Sequence, residues 1–173
     1  LSAAEGKEMS GGNVISQPLL PLTRRLIMPT RITSMNIFFD CDYTIIDMAG
    51  GLRPGVRELF RRLKDDGHTL YVWSGMGIRW YEVRKHGLEP YVTECFHKPL
   101  FDYQRRMKGM GVTVVPDMVI DDYPDIVTAL GGIRVKAYLY ERNSDREMER
   151  IYPIISAFNA NNGHFQDNFQ DPE

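Results

Sequence analysis

Six residues of this 173-residue chain carry a carboxylate, a hydroxyl or an ammonium where a short apolar run stops. Asp40 and Asp42 close the stretch beginning at Asn36 (NIFFDCD), and Ser74 follows HTLYVW. Lys98 comes just after Val92–Phe96, and Asp121 and Asp122 follow MVI. Four acids brought together would repel one another unless a cation sat among them. A hard divalent ion with oxygen-only ligands suits Mg²⁺, which keeps waters and a substrate phosphate in its shell. A carboxylate nucleophile, a second carboxyl to give and take a proton, a lysine and a metal together describe phosphoryl transfer.

That chemistry requires a fold that gathers these residues. The hydrophobic pattern predicts strands at Asn36–Asp40, His68–Trp73, Val92–Phe96, Met118–Ile120 and Val135–Tyr140. Helices are expected at Arg53–Gly67 with Pro54 in the first turn, Ile78–His86, Leu100–Met107, Pro124–Leu130 and Arg146–Phe158. The last of these is expected to bend or break at Pro153. Apolar strands alternating with helices imply an α/β fold, a three-layer, Rossmann-like parallel sheet of about five strands with helices on both faces. Ligands of such sheets bind at the carboxyl ends of the strands, where all six residues stand.

The motifs also resemble those of the haloacid dehalogenase superfamily. DCDYT matches its first motif, an acid, any residue, a second acid, any residue, then threonine. The serine of YVWSG, the lysine of HKPL and the acid pair of MVIDD follow in the family's order, so the resemblance spans roughly residues 36–140. It implies that Asp40 is the nucleophile that becomes an aspartyl phosphate. Asp42 would be the general acid and then the base, and would offer a backbone carbonyl to Mg²⁺. Thr44 would hold the turn and orient Asp42. Ser74 and backbone N–H groups of its loop, at Gly75, would bind phosphoryl oxygens, with Lys98 neutralising charge. Asp122 would bind the metal directly and Asp121 through water, or Asp121 would pair with Asp125 instead; both registers stay open. An aspartate at position 42 is the family's phosphatase and phosphomutase pattern.

Members of that family with small substrates usually carry a cap domain, and neither insertion point here has room for one. Tyr43–Leu52 is short, and the 24 positions from Ser74 to Lys98 are filled by a helix and a strand. The expectation is therefore a capless phosphomonoester hydrolase with an open site for a phosphoprotein or a nucleic-acid end. The alternatives are a silent binding module on the same fold, or a small-metabolite phosphatase whose cap comes from a partner subunit. Tyr43 stands where many relatives have glycine, a likeness to magnesium-dependent protein-tyrosine-type phosphatases. YVWSG and DDYP are similar to phosphoserine phosphatases that act on polymerase tails.

Composition bounds the rest. An apolar content of 43% and a charged content of 25% are those of an ordinary soluble domain, and a net charge of −2 gives no electrostatic case for nucleic acid. No apolar run approaches the roughly 20 residues of a membrane span. Two cysteines, Cys41 and Cys95, favour a reducing, cytoplasmic setting; in the strand order that the resemblance implies, strand two separates their strands, which places them roughly 9–10 Å apart, too far for a disulfide. Cys41 between the acids reads as a packed residue before a redox switch. Residues 1–34 read as a flexible extension, 35–158 as the catalytic domain and 159–173 as a flexible tail. The acid-free, arginine-bearing stretch 10–34 also has the composition of a transit segment. The four histidines are scattered. Trp80, Tyr81 and Tyr123 are candidates for a recognition wall, core packing or a dimer face.

Overall fold

Strand β1 (Asn36–Asp40) is buried along almost its whole length, as an interior strand of a parallel sheet must be. It pairs in parallel with β2 (Thr69–Ser74) on one side and β4 (Met118–Asp121) on the other. The outer strands are β3 (Val92–His97), beside β2, and β5 (Gly132–Arg134), beside β4, giving the order β3-β2-β1-β4-β5 with every pairing parallel. This is a Rossmann-like α/β sheet, seen here in a computed structural model that describes residues 33–160.

Side chains alternate across the sheet, and the two faces bury different chemistry. On one face Ile37, Phe39, Leu70 and Val72 pack against α1 (Val56–Asp65), α2 (Trp80–Lys85) and α5 (Glu147–Ala160) in a mainly aliphatic core. On the other, Phe38 stacks on Tyr71 with ring centroids 4.7 Å apart and meets the Trp73 edge at 4.9 Å. That aromatic layer is covered by α3 (Tyr103–Met107) and α4 (Pro124–Leu130) through Met107 and Ile126. The chain thus winds outward from β1 over one face and returns to β4 over the other. The winding reverses between β1 and β4, and a crevice opens at their carboxyl ends.

Several boundaries differ from the expected ones. The fifth strand is not Val135–Tyr140 but Gly132–Arg134. Gly132 lies so close to β4 that a Cβ there would overlap the Val119 carbonyl, so a residue that looks like turn punctuation is the strand's entry. Beyond Val135, whose N–H still donates to the Asp121 carbonyl, β4 has ended and offers no ladder. The segment instead crosses the sheet end, where Tyr138 N donates to Tyr43 O (2.7 Å) and Leu139 O accepts from Met48 N (3.2 Å). α1 starts at Val56 rather than Arg53, because Gly55 is left-handed (φ 83°) and leaves Pro54 in the preceding turn. Left-handed Asp102 (φ 47°) delays α3 in the same way, and α2 begins only at Trp80. α5 runs through Pro153 without interruption, held by buried Met148, Ile151 and Ile155.

Between β1 and α1 lies only a short flap, closed on itself by bridges Asp42–Ile46 and Ile46–Leu52 and by Gly51 N donating to Asp47 Oδ1 (2.7 Å). Between β2 and β3 lies only α2. At the domain's edges, Thr33 N donates to Asn159 Oδ1, and Asn159 belongs to α5. The expectations for a leader or transit segment and for the tail beyond residue 160 fall outside the described residues.

Candidate active site

Asp40 and Asp121 sit one residue beyond the paired Phe39 and Ile120, so parallel register alone makes them neighbours at the switch point. With Asp122 they form a cluster whose ligand oxygens lie within 4.8 Å of one another. Lys98 reaches in from beyond β3, its Nζ 2.5 Å from Asp40 Oδ1 and 2.8 Å from Asp121 Oδ2. Its backbone is placed by Lys98 N donating to Ser74 O at 2.9 Å.

Burial and the neighbouring Asp121 push the Asp40 carboxyl well above its usual range, against the pull of Lys98. Burial also raises Asp121 and Asp122. Burial alone would lower the Lys98 ammonium, but Asp40 and Asp121 outweigh it and hold the pKa up. One ammonium against three buried or half-buried carboxylates leaves negative charge uncompensated. An all-oxygen donor set of that kind can bind a metal ion.

The other lip is built around Asp42. Its carboxylate accepts from Ser74 Oγ at 2.5 Å and from Arg79 at 2.5 and 3.3 Å, and Arg79 also donates to Glu82. Ser74 Oγ accepts from Met76 N (2.9 Å), which folds the β2 loop back over its own serine. Thr44 is buried, and its hydroxyl donates to Asp122 Oδ1 at 3.3 Å. The orientation of Asp42 expected of Thr44 therefore falls to Ser74 and Arg79.

These groups line a cleft of about 420 Å³ that also includes Gly75. Tyr43, Met76, Leu100 and Tyr123 form its exposed apolar mouth. A Cβ at Gly75 would meet the exposed Leu100 side chain, which would have to turn aside. Tyr43 holds a left-handed backbone (φ 63°), the conformation that favours glycine.

Other candidates stand apart. Asp125 is exposed on the first turn of α4, outside the carboxylate cluster. Two lysines that could have competed with Lys98 do not line the cleft: Lys85 donates to Gly50 O, and Lys108 lies in a 3₁₀ turn. His97 bonds the Gly75 carbonyl, Trp80 packs on the aliphatic core and Tyr81 is exposed, so of the three aromatics only Tyr123 lines the cleft. Cys41, just past the end of β1, and Cys95, on β3, are free and buried with β2 between those strands, and burial first, then Asp42, pushes the Cys41 thiol up. No helix among the described residues is long and apolar enough to cross a membrane.

Two features had escaped the sequence. Arg79 lies in an undistinguished GIRW, where nothing in the spacing marks it as the partner of Asp42. Arg53 is fully buried in a bidentate pair with Asp145 (2.9 and 3.0 Å), and it donates to the Thr44 carbonyl (3.1 Å) beneath the flap. The one available signal was an arginine just before Pro-Gly at the end of an apolar flap. Comparison with protein-family models, curated proteins and solved structures finds no match to this chain.

Proposed function

We propose that the protein is a Mg²⁺-dependent phosphomonoester hydrolase that works through an aspartyl phosphate on Asp40, the reading its likeness to haloacid dehalogenase motifs implies. The observation that carries it is the meeting of Asp40, Asp121, Asp122 and Lys98 at the switch point, with Asp42 two residues along the same strand end. The all-oxygen donor set is compatible with Mg²⁺, which Asp40, Asp122 and the Asp42 backbone carbonyl would hold, with Asp121 assisting. Bound there, Mg²⁺ supplies positive charge to the phosphoryl oxygens.

The chain's own residues do the rest. An Asp40 oxygen bonds to phosphorus as the bond to the leaving oxygen breaks, and Asp42 gives that oxygen its proton. A water then attacks phosphorus and loses its proton to Asp42, and the Asp40–phosphorus bond breaks. Lys98 offsets the charge that Asp40 shares with the phosphoryl group. Ser74 Oγ, now donating to Asp42, must turn to a phosphoryl oxygen when substrate arrives. The open cleft with its apolar mouth favours a phosphate carried on a bulky group, such as a phosphoprotein, over a small metabolite.

The test is a phosphatase screen of phosphopeptides, phosphorylated nucleic-acid ends and small phosphates, with and without Mg²⁺. Turnover should require Mg²⁺ and fall roughly 10³-fold or more in Asp40→Asn. Equal turnover by that variant removes Asp40 as nucleophile, and no turnover on any substrate favours a silent binding module.

A further inference from the structure

On the far side of Arg53 from the flap, at the start of α5, lies a second pocket of about 290 Å³. Its walls carry four cations, Lys136, Arg142, Arg146 and Arg150, and two acids, Asp145 and Glu147. Both acids are already matched. Asp145 holds the buried Arg53 bidentately and also accepts from Glu147 N. Glu147 accepts from Arg150 at 2.6 Å and from Lys136 N at 3.1 Å.

Two cations, Lys136 and Arg142, remain in excess, and Arg146 is matched only by an exposed acid. The Lys136 ammonium has no partner among the described residues. Arg142 stands 3.6 Å from an Asp145 that Arg53 has taken; Arg146 stands 3.6 Å from exposed Glu149 and donates from one terminal nitrogen to the Asn143 and Asp145 carbonyls, both at 3.0 Å, which leaves its other terminal nitrogen. Arg150 Nε is moreover buried with no acceptor, one of only two such side-chain atoms among the described residues. Arg150 is itself held in the wall, donating to Glu147 and to the Arg134 carbonyl, so it is not one of the surplus cations.

We propose that this pocket is an oxyanion site, separate from the cleft, for a tetrahedral group of phosphate or sulfate size. The group is either a free ion or the terminal phosphate of a larger molecule. Its oxygens would accept charge-assisted hydrogen bonds from Arg142 and Arg146, with Lys136 completing the neutralisation.

The experiment is calorimetric titration of inorganic phosphate into the full chain in EDTA. Without a divalent cation the cleft's carboxylates repel the ion, so the outcome is independent of the phosphatase reading. One-to-one binding is expected, unchanged in Asp40→Asn and at least about tenfold weaker in Arg142→Gln/Arg146→Gln. Both arginines are more than half exposed (57% and 61%), so the double variant should fold, which an unchanged Tm verifies. No saturable heat with the parent chain, or undiminished binding by the double variant, overturns the proposal. A short phosphoserine peptide titrated into Asp40→Asn separates the sources. Binding tighter than that of the free ion, and lost when Arg142→Gln/Arg146→Gln is combined with Asp40→Asn, assigns the pocket to attached phosphates; weaker binding assigns it to the ion.

Discussion

Two buried charge groups lie close together in this protein and are built on opposite principles. At Arg53–Asp145 one guanidinium meets one carboxylate with two good hydrogen bonds, and both side chains are almost wholly buried (0% and 6% exposed). At the switch point three carboxylates share one lysine. The pKa directions follow. Burial would raise Asp145, but the bonds from Arg53 and Glu147 N outweigh it and hold the carboxyl low. Asp40, Asp121 and Asp122 are all raised. A matched pair fixes geometry, whereas an unmatched cluster gives up stability to keep a place for a cation.

Breaking the matched pair should have the largest effect. Arg53→Ala leaves Asp145 buried without its cation, takes a donor from the Thr44 carbonyl and removes a cation–π contact with Tyr138. A loss of about 3–5 kcal/mol is expected in urea denaturation. A loss no larger than that of an ordinary surface substitution would mean that the pair fixes nothing.

Arg79 falls between the two designs, since it clamps Asp42 but is itself about 20% exposed. Arg79→Ala should therefore leave Tm nearly unchanged and, in the proposed reaction, lower kcat by roughly tenfold with little change in KM, as a free Asp42 would be a poorly aimed proton carrier. Arg79→Lys should not restore the rate, because an ammonium cannot grip both carboxylate oxygens. A purely structural arginine would move Tm instead.

The unmatched cluster predicts a smaller effect of opposite sign. Raised folded pKa values mean that the carboxyls' contribution is complete below the unfolded value, near 4, and is lost as pH rises through the folded values. For Asp145, with a lowered folded pKa, the contribution is present above the unfolded value and is lost as pH falls through the folded one. Metal-free Asp122→Asn should thus melt a few degrees above the parent at about pH 8, the gap closing toward pH 4. Adding Mg²⁺ should reverse the order. A parent chain more stable than the variant in EDTA at pH 8 would contradict the frustrated-cluster account.

What the sequence made legible follows the same division. Asp40, Ser74, Lys98 and Asp121 could be placed because each ends or follows a strand, and a parallel sheet brings strand ends to one edge. The pairs Arg53–Asp145 and Arg79–Asp42 could not, since they join residues 92 and 37 positions apart by side-chain reach with no periodicity behind it. The fifth strand was misplaced because VKAYLY has the composition of a strand, while the true one begins at a glycine demanded by backbone contact. Propensity reads a segment's own chemistry, not whether a neighbouring strand is still there to pair with.

Tyr43 offers the finest test, because its backbone and its ring pull in different directions. A tyrosine at φ 63° is strained, and Tyr43→Gly relieves that cost. Glycine in turn gives the unfolded chain more freedom, which costs about as much as the relief returns. The bonds from Tyr43 N to Ile46 O and from Tyr138 N to Tyr43 O are backbone bonds and survive the change. Tm should therefore stay within about 2 °C of the parent. The ring, 37% exposed at the cleft mouth, has no equivalent in the variant. If it contacts the bulky part of the substrate, KM rises several-fold for phosphopeptides and stays level for a small phosphate ester. An equal rise for both would place the tyrosine's effect on the flap beside Asp42, and the comparison of matched and unmatched charge would then have to include the strained loop between them.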